Sequence, residues 1–274
     1  TTKSRAWYAR IGREAEREIK RQVKYDKQRR EMAKVLGIDP DTGNTLLNDK
    51  LDSLAWAAAW GGFSGAQALG QIGGVAAGVI SNTGKLNDYV WTKTPTQLRE
   101  INSNRLLAFC SDEYAVRQFM RRGGFTDSLR TSLTDALEKL EPQNGCDALV
   151  ELATTTRSEV EARFIVNALR LIQRQSDVVG GSLRVIDAAI AWQTRSGDLL
   201  LPLPVDYLSW NQQLANFFDQ PEWRLSNKTV LIGGHASMLT QRQLTQRGWS
   251  LALLAPYDGK PAYVKNIAFK ETHE

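Results

Sequence analysis

With only two histidines, His235 and His273, and two cysteines, Cys110 and Cys146, the chain lacks the raw material of a metal centre. Structural and catalytic zinc sites draw on clustered thiolates and imidazoles, and neither CxxC nor HxxxH spacing occurs. No Walker pattern and no dinucleotide glycine fingerprint is present either, so neither a nucleotide nor any other cofactor is expected. The two cysteines permit one disulfide or two singly buried thiols, and their number alone does not choose. The sequence opens at Thr1 without a basic-then-apolar leader, so an export signal is expected either to have been cleaved or to lie outside it.

The absence with the widest consequence is charge. Residues 53–84 contain no ionisable side chain. A hydrocarbon core about 30 Å thick needs about 20 helical residues, which 54–80 supplies. Within it Gly62, Ala66, Gly70, Gly74 and Gly78 recur every fourth residue. Small residues at that period let two helix backbones approach closely. In water each glycine would cost a helix about 1 kcal/mol relative to alanine. The segment therefore reads as a glycine-zipper stretch that meets lipid or another helix. A small-residue core inside a soluble helical bundle and a Gly-rich linker are the plainer alternatives, favoured by Ser64, Gln67 and Gln71. Trp56, Trp60 and Trp91 flank or begin the stretch, where tryptophan favours the membrane interface.

Positive charge is concentrated where the uncharged segment is approached. Residues 1–34 hold twelve Lys/Arg against five acids, a net +7, so the rest of a chain of formal charge +5 sums to −2. Trp7, Ile11, Ala15, Ile19 and Val23 repeat every four residues among these charges, which predicts an amphipathic helix over 4–36 ending near Gly37. Arg10, Arg13, Arg17, Lys20, Arg21, Lys24, Lys27, Arg29 and Arg30 are the candidate contacts to an anionic surface. A basic amphipathic helix beside an apolar segment has the composition of an interfacial anchor. Nucleic acid is the second candidate partner, because Trp7, Tyr8 and Tyr25 could stack on bases.

From 95 to 175 the signals are short capped helices: Thr94-Pro95, Ser111-Asp112-Glu113, Thr126-Asp127 and Thr156 with Glu159 are each expected to open one. After Gly180-Gly181 the pattern becomes extended. One strand is expected over 182–193, a turn at Arg195-Ser196-Gly197-Asp198, and an edge strand over 199–205, demoted by Pro202 and Pro204. A helix over 208–218, a strand–helix–strand unit across 229–254 and a last strand over 262–269 complete the reading. The expectation is an α+β protein divided as a basic helix (1–37), a linker with the uncharged segment (38–94), a helical domain (95–178) and a mixed α/β domain (179–274).

One constellation invites catalysis. Gly233-Gly234-His235-Ala236-Ser237 sits between a predicted strand and a predicted helix, the place of a serine hydrolase nucleophile. The pattern Gly-x-Ser-x-Gly fails at Leu239, and only His273 remains as a base besides His235. The plainer reading is a tight turn whose serine caps the next helix, so no residue is assigned as catalytic.

Leu36-Gly37-Ile38-Asp39-Pro40, Pro204-Val205-Asp206-Tyr207-Leu208-Ser209-Trp210 and Arg247-Gly248-Trp249 resemble segments of bacterial proteins without an assigned activity. The resemblance implies a bacterial source and transfers no function. The expected role is non-catalytic: a membrane-associated protein of the bacterial cell envelope that forms a homo-oligomer or scaffolds a larger assembly. A hydrolase using Ser237 and His235 is the alternative, with nucleic-acid binding behind it.

Overall fold

Hydrogen-bonding side chains at the expected helix starts decide most element boundaries in the computed structural model, which describes residues 25–61, 87–122, 124–224 and 227–260. The chain forms two compact units, Thr1–Thr83 with Asp88–Thr92, and Gly84–Asn87 with Lys93–Glu274.

In the first unit residues 25–36 are helical (α1). Gly37 ends α1 in the left-handed region at φ 64. The Gly37 amide donates to Lys34 and the Ile38 amide to Ala33, a Schellman closure that the glycine makes possible. The buried Asp39 then accepts from the Asp41 amide, and Asn44 accepts from the Leu46 and Leu47 amides to start α2 (Thr45–Gly61). Met32, Ala33 and Leu36 of α1 pack with Ile38 and with Leu51 and Leu54 of α2. Trp91, on the short helix α3 (Tyr89–Thr92), packs against the same cluster.

The second unit begins with α4 (Pro95–Leu106), opened by a reciprocal capping box between Thr94 and Gln97. Asp112 caps α5 (Glu113–Phe119) and Thr126 caps α6 (Asp127–Leu140). Next come α7 (Cys146–Thr155) and α8 (Glu159–Gln173). The cap of α8 is Ser158, not Thr156: the Ser158 hydroxyl accepts from the Glu161 amide, while Thr156 terminates α7. Thr156 is occupied there, donating to Ala153 and accepting from the Gly124 amide. Cys110 and Cys146 form a disulfide, with Cα atoms 4.9 Å apart, which settles the choice that composition leaves open.

The sheet comprises β1 (Ser182–Ile186), β2 (Ala189–Gln193), β3 (Leu199–Leu203), β5 (Lys228–Ile232) and β7 (Ser250–Ala252), in that order. β1–β2 and β2–β3 are antiparallel; β3–β5 and β5–β7 are parallel. A separate two-residue parallel pair joins β4 (Tyr207–Leu208) to β6 (His235–Ala236). α9 (Gln212–Phe218) lies on the β3-to-β5 crossover and α10 (Met238–Gln246) on the β5-to-β7 crossover, the strand–helix–strand unit expected from sequence.

Two expectations for the sheet need correction. The 182–193 stretch is a hairpin, turned at Asp187 and Ala188, with Asp187 at φ 52. β3 is an interior strand rather than an edge. The Leu199 amide donates to Asn227 on the β5 side, so by strand alternation the amide positions of 200 and 202 face β2. Pairing with β2 reaches only Leu199 and Leu200, so Pro202 lacks its N–H where no ladder needs one.

Hydrophobic residues cover both faces of the sheet. On one side α4–α8 build a cluster that includes Phe119, Leu133, Leu149 and Ile165 and reaches Leu183, Ile190 and Trp192 of the sheet. The boundary expected at 178/179 therefore falls inside one core. On the other side Leu199, Leu201, Val230 and Ile232 meet Phe218, Trp223, Leu244 and Trp249. The fold class is mixed helix and sheet, as expected. The strand expected over 262–269 lies outside the described residues.

Candidate functional site

In the first unit the chemistry of interest is a clamp. Asp52, the last charged residue before the uncharged run, accepts from the Tyr25 hydroxyl and from Arg29 Nε, each at 2.7 Å. Arg29 reaches further, to the Asn48 side-chain oxygen and the Pro40 carbonyl. Burial opposes charge on Asp52, but hydrogen bonds from Tyr25 and Arg29 outweigh it and hold this carboxyl below the usual range. Burial, then the Asp52 hydrogen bond, pushes the Tyr25 hydroxyl up to about 12. The clamp joins α1 to α2 just where α2 loses its charges.

Of the nine cations expected to face an anionic surface, Lys27, Arg29 and Arg30 fall among the described residues. The Arg29 side chain, 18% exposed, is committed to the clamp. Lys27 is 73% exposed, 3.8 Å from Glu31 one helical turn on. Arg30 is half-buried on α1. Arg10, Arg13, Arg17, Lys20, Arg21 and Lys24 lie outside the described residues, as do Gly62, Ala66, Gly70, Gly74 and Gly78. Trp56 and Trp60 are on α2, and the surroundings of their side chains are likewise outside what is described. Trp91 is half-buried, its indole N–H donating to the Ile38 carbonyl at 3.2 Å. Among the described residues no helix is long and apolar enough to cross a membrane.

In the second unit the Gly233–Ser237 turn is explained by packing. A Cβ on Gly234 would sit 1.9 Å from the Asp206 carbonyl oxygen, so the backbone approach of β6 to the 206–208 segment demands glycine. Ser237 accepts from the Thr240 amide at 3.1 Å and caps α10. Its backbone is extended (φ −59, ψ 153), unlike the sharp strained turn that exposes a hydrolase nucleophile. The Thr240 hydroxyl, 2.7 Å from Ser237 Oγ, also donates to the Leu208 carbonyl. Among the described residues no group of three metal-ligating side chains comes together.

Sequence reasoning missed an apolar groove of about 580 Å³. Val160 and Phe164 from α8, Ile190 from β2, Pro202 and Leu203 from β3 and Phe217 from α9 line it. It opens where β2 and β3 part company, which is why residues from both faces of the sheet reach it. The usable sequence signal was Pro202, which ends the β2–β3 ladder. The hairpin turn beside it is Asp187-Ala188, without the glycine that marks such turns.

The chain matches no protein family, no curated protein and no solved structure.

Proposed function

We propose that this chain is a non-catalytic bacterial envelope protein that associates with an anionic membrane surface and with copies of itself. The observation that best supports the reading is the Tyr25–Arg29–Asp52 clamp. It makes a basic helix and the start of an uncharged one into a single unit, so two lipid-directed features arrive together. Single weak signals anchor poorly, and paired ones anchor well. The Cys110–Cys146 bond supports an oxidising compartment, where such bonds persist. In this reading Gly62, Ala66, Gly70, Gly74 and Gly78 form the helix contact, Trp56, Trp60 and Trp91 lie toward the interface, and the second unit serves as a docking module.

Flotation with phosphatidylglycerol-containing vesicles tests the lipid half. The protein should rise with the vesicles at low salt and do so less when Arg10, Arg13 and Arg17 are changed to Glu. Remaining at the bottom at low salt overturns it. Gly70→Leu with Gly74→Leu should lower the sedimenting mass; an unchanged mass removes the zipper as the contact.

A further inference from the structure

The groove where β2 and β3 part encloses about 580 Å³, within the range of binding sites. Exposed apolar side chains occur at several places on this unit, Tyr114 and Met238 among them, but Val160, 76% exposed, stands at the rim of this groove. Main-chain groups of the sheet also turn into it. Leu200 directs its amide toward β2 and stands opposite Trp192, so by strand alternation Trp192 and Ile190 direct their N–H and carbonyl groups toward β3. Continuing that register would set Ile190 opposite Pro202, which has no N–H to offer the Ile190 carbonyl, and the ladder ends before this pair. Among the described residues no turn, cap or side-chain hydrogen bond reaches the main chain of Ile190 or Pro202. The two charged residues lining the groove, Glu161 and Asp187, are both acidic. Glu161 accepts from the Arg157 amide and Asp187 from Gln220 Nε2, and among the described residues neither carboxylate is ion-paired.

We infer that the groove takes an extended segment of a partner protein, with apolar side chains at alternate positions and Lys or Arg at its flanks. The open main chain selects a peptide over an acyl chain or another purely apolar molecule. Buried amides and carbonyls need partners. An extended peptide supplies a carbonyl for the Ile190 N–H and N–H groups for the Ile190 and Pro202 carbonyls, the bonding of strand addition. Such bonds carry no sequence preference, so the lining sets it. Side chains alternate along a strand, so every second residue of the segment meets the surface of Val160, Phe164, Leu203 and Phe217. At the mouth the unpaired Glu161 and Asp187 carboxylates favour cationic flanks and repel acidic ones. The inference gives a partner class to the docking role proposed for the second unit and rests on that reading in this respect alone.

The test selects short random peptides displayed on phage against the full, unaltered chain, with counter-selection on the Val160→Arg chain, whose altered side chain is exposed. Recovered sequences should alternate apolar residues and carry net positive charge. A fluorescein-labelled synthetic copy of the most enriched one, read by anisotropy, should bind the unaltered chain about tenfold more tightly than the Val160→Arg chain, a difference of about 1.4 kcal/mol. Methylating the peptide's main-chain nitrogens one at a time should weaken binding by a similar factor at one position and not at its neighbours. Glu161→Gln with Asp187→Asn keeps both hydrogen-bond acceptors and should weaken binding at low salt and flatten its salt dependence; this pair of changes carries the test if circular dichroism shows Val160→Arg to be unfolded. Failure of any sequence to distinguish the unaltered chain from the variants, or recovery of neutral or acidic sequences, overturns the inference. So does a methylation series without effect, which would mean that the groove takes a side chain or a small apolar molecule. A fall in the sedimenting mass of the unaltered chain on adding peptide also overturns it, because the occupant would then be a second copy. No vesicle enters these readouts, so the inference and the membrane reading can fail separately.

Discussion

Removing the Cys110–Cys146 bond by Cys110→Ala with Cys146→Ala should destabilise the second unit by an amount its connectivity sets. The bond closes a loop with a sequence separation of 36. The chain-entropy relation for a loop of that length gives about 3.8 kcal/mol at 25 °C, released into the unfolded ensemble. For a unit of this size each kcal/mol moves the thermal midpoint by about 2 to 4 °C, so the transition should fall by about 8 to 15 °C. Circular dichroism melts of the unaltered chain, with and without reductant added after denaturant unfolding, and of the double variant provide the comparison. The bond has local company: Asp147 accepts from the Ser111 hydroxyl at 2.5 Å and from the Asp112 amide at 2.9 Å, holding the two linked segments together. That pairing should slow unfolding of the reduced protein without restoring its midpoint. Midpoints within about 2 °C of each other, or two thiols titrating in denaturant without reductant, would refute the reasoning.

Other outcomes follow from single contacts. Arg130 is buried, with Nε on the Phe119 carbonyl, Nη1 on Asp127 and Nη2 on the Arg122 carbonyl. Arg130→Met should cost about 3 kcal/mol, at the low end for a broken buried pair because Arg99 still holds Asp127. Urea midpoints should drop by roughly 1 to 2 M, and an unchanged midpoint contradicts the expectation. Asp52 is held below its usual pKa in the folded protein, so the clamp's contribution is present above that usual value and is lost as the pH falls below about 4. The protection of the Trp91 indole N–H should fall between pH 5 and 3, and Asp52→Asn should flatten that dependence; parallel curves would sink the assignment. Ser237→Ala should cost about 1 kcal/mol, the loss of a helix cap. Labelling of Ser237 by a fluorophosphonate probe would instead revive the hydrolase reading.

Helix starts were legible because a capping side chain acts within three residues: Thr94, Asp112 and Thr126 each accept the amide that their position implies. Thr156 misled because two competent caps lie two residues apart, and the nearby Gly124 amide engages Thr156. Strand placement depended on distant partners. Pro202 looks like an edge residue locally, yet β5 lies on its far side and the β2 ladder stops at Leu200, two residues before it. The commitment of Arg29 to Asp52, Asn48 and Pro40 was equally invisible, since a run of cations does not reveal which one the fold turns inward. The groove exists only after β2, β3, α8 and α9 are assembled, so Pro202 hints at where the β2–β3 ladder ends but no local pattern shows what lines the opening.

The membrane reading is tested most directly by a single spin label introduced at residue 69 by Leu69→Cys, in the middle of the uncharged run. With phosphatidylglycerol-containing vesicles added, oxygen accessibility of the label should rise while accessibility to a water-soluble nickel chelate falls. Accessibilities unchanged by vesicles at any lipid concentration would contradict the account.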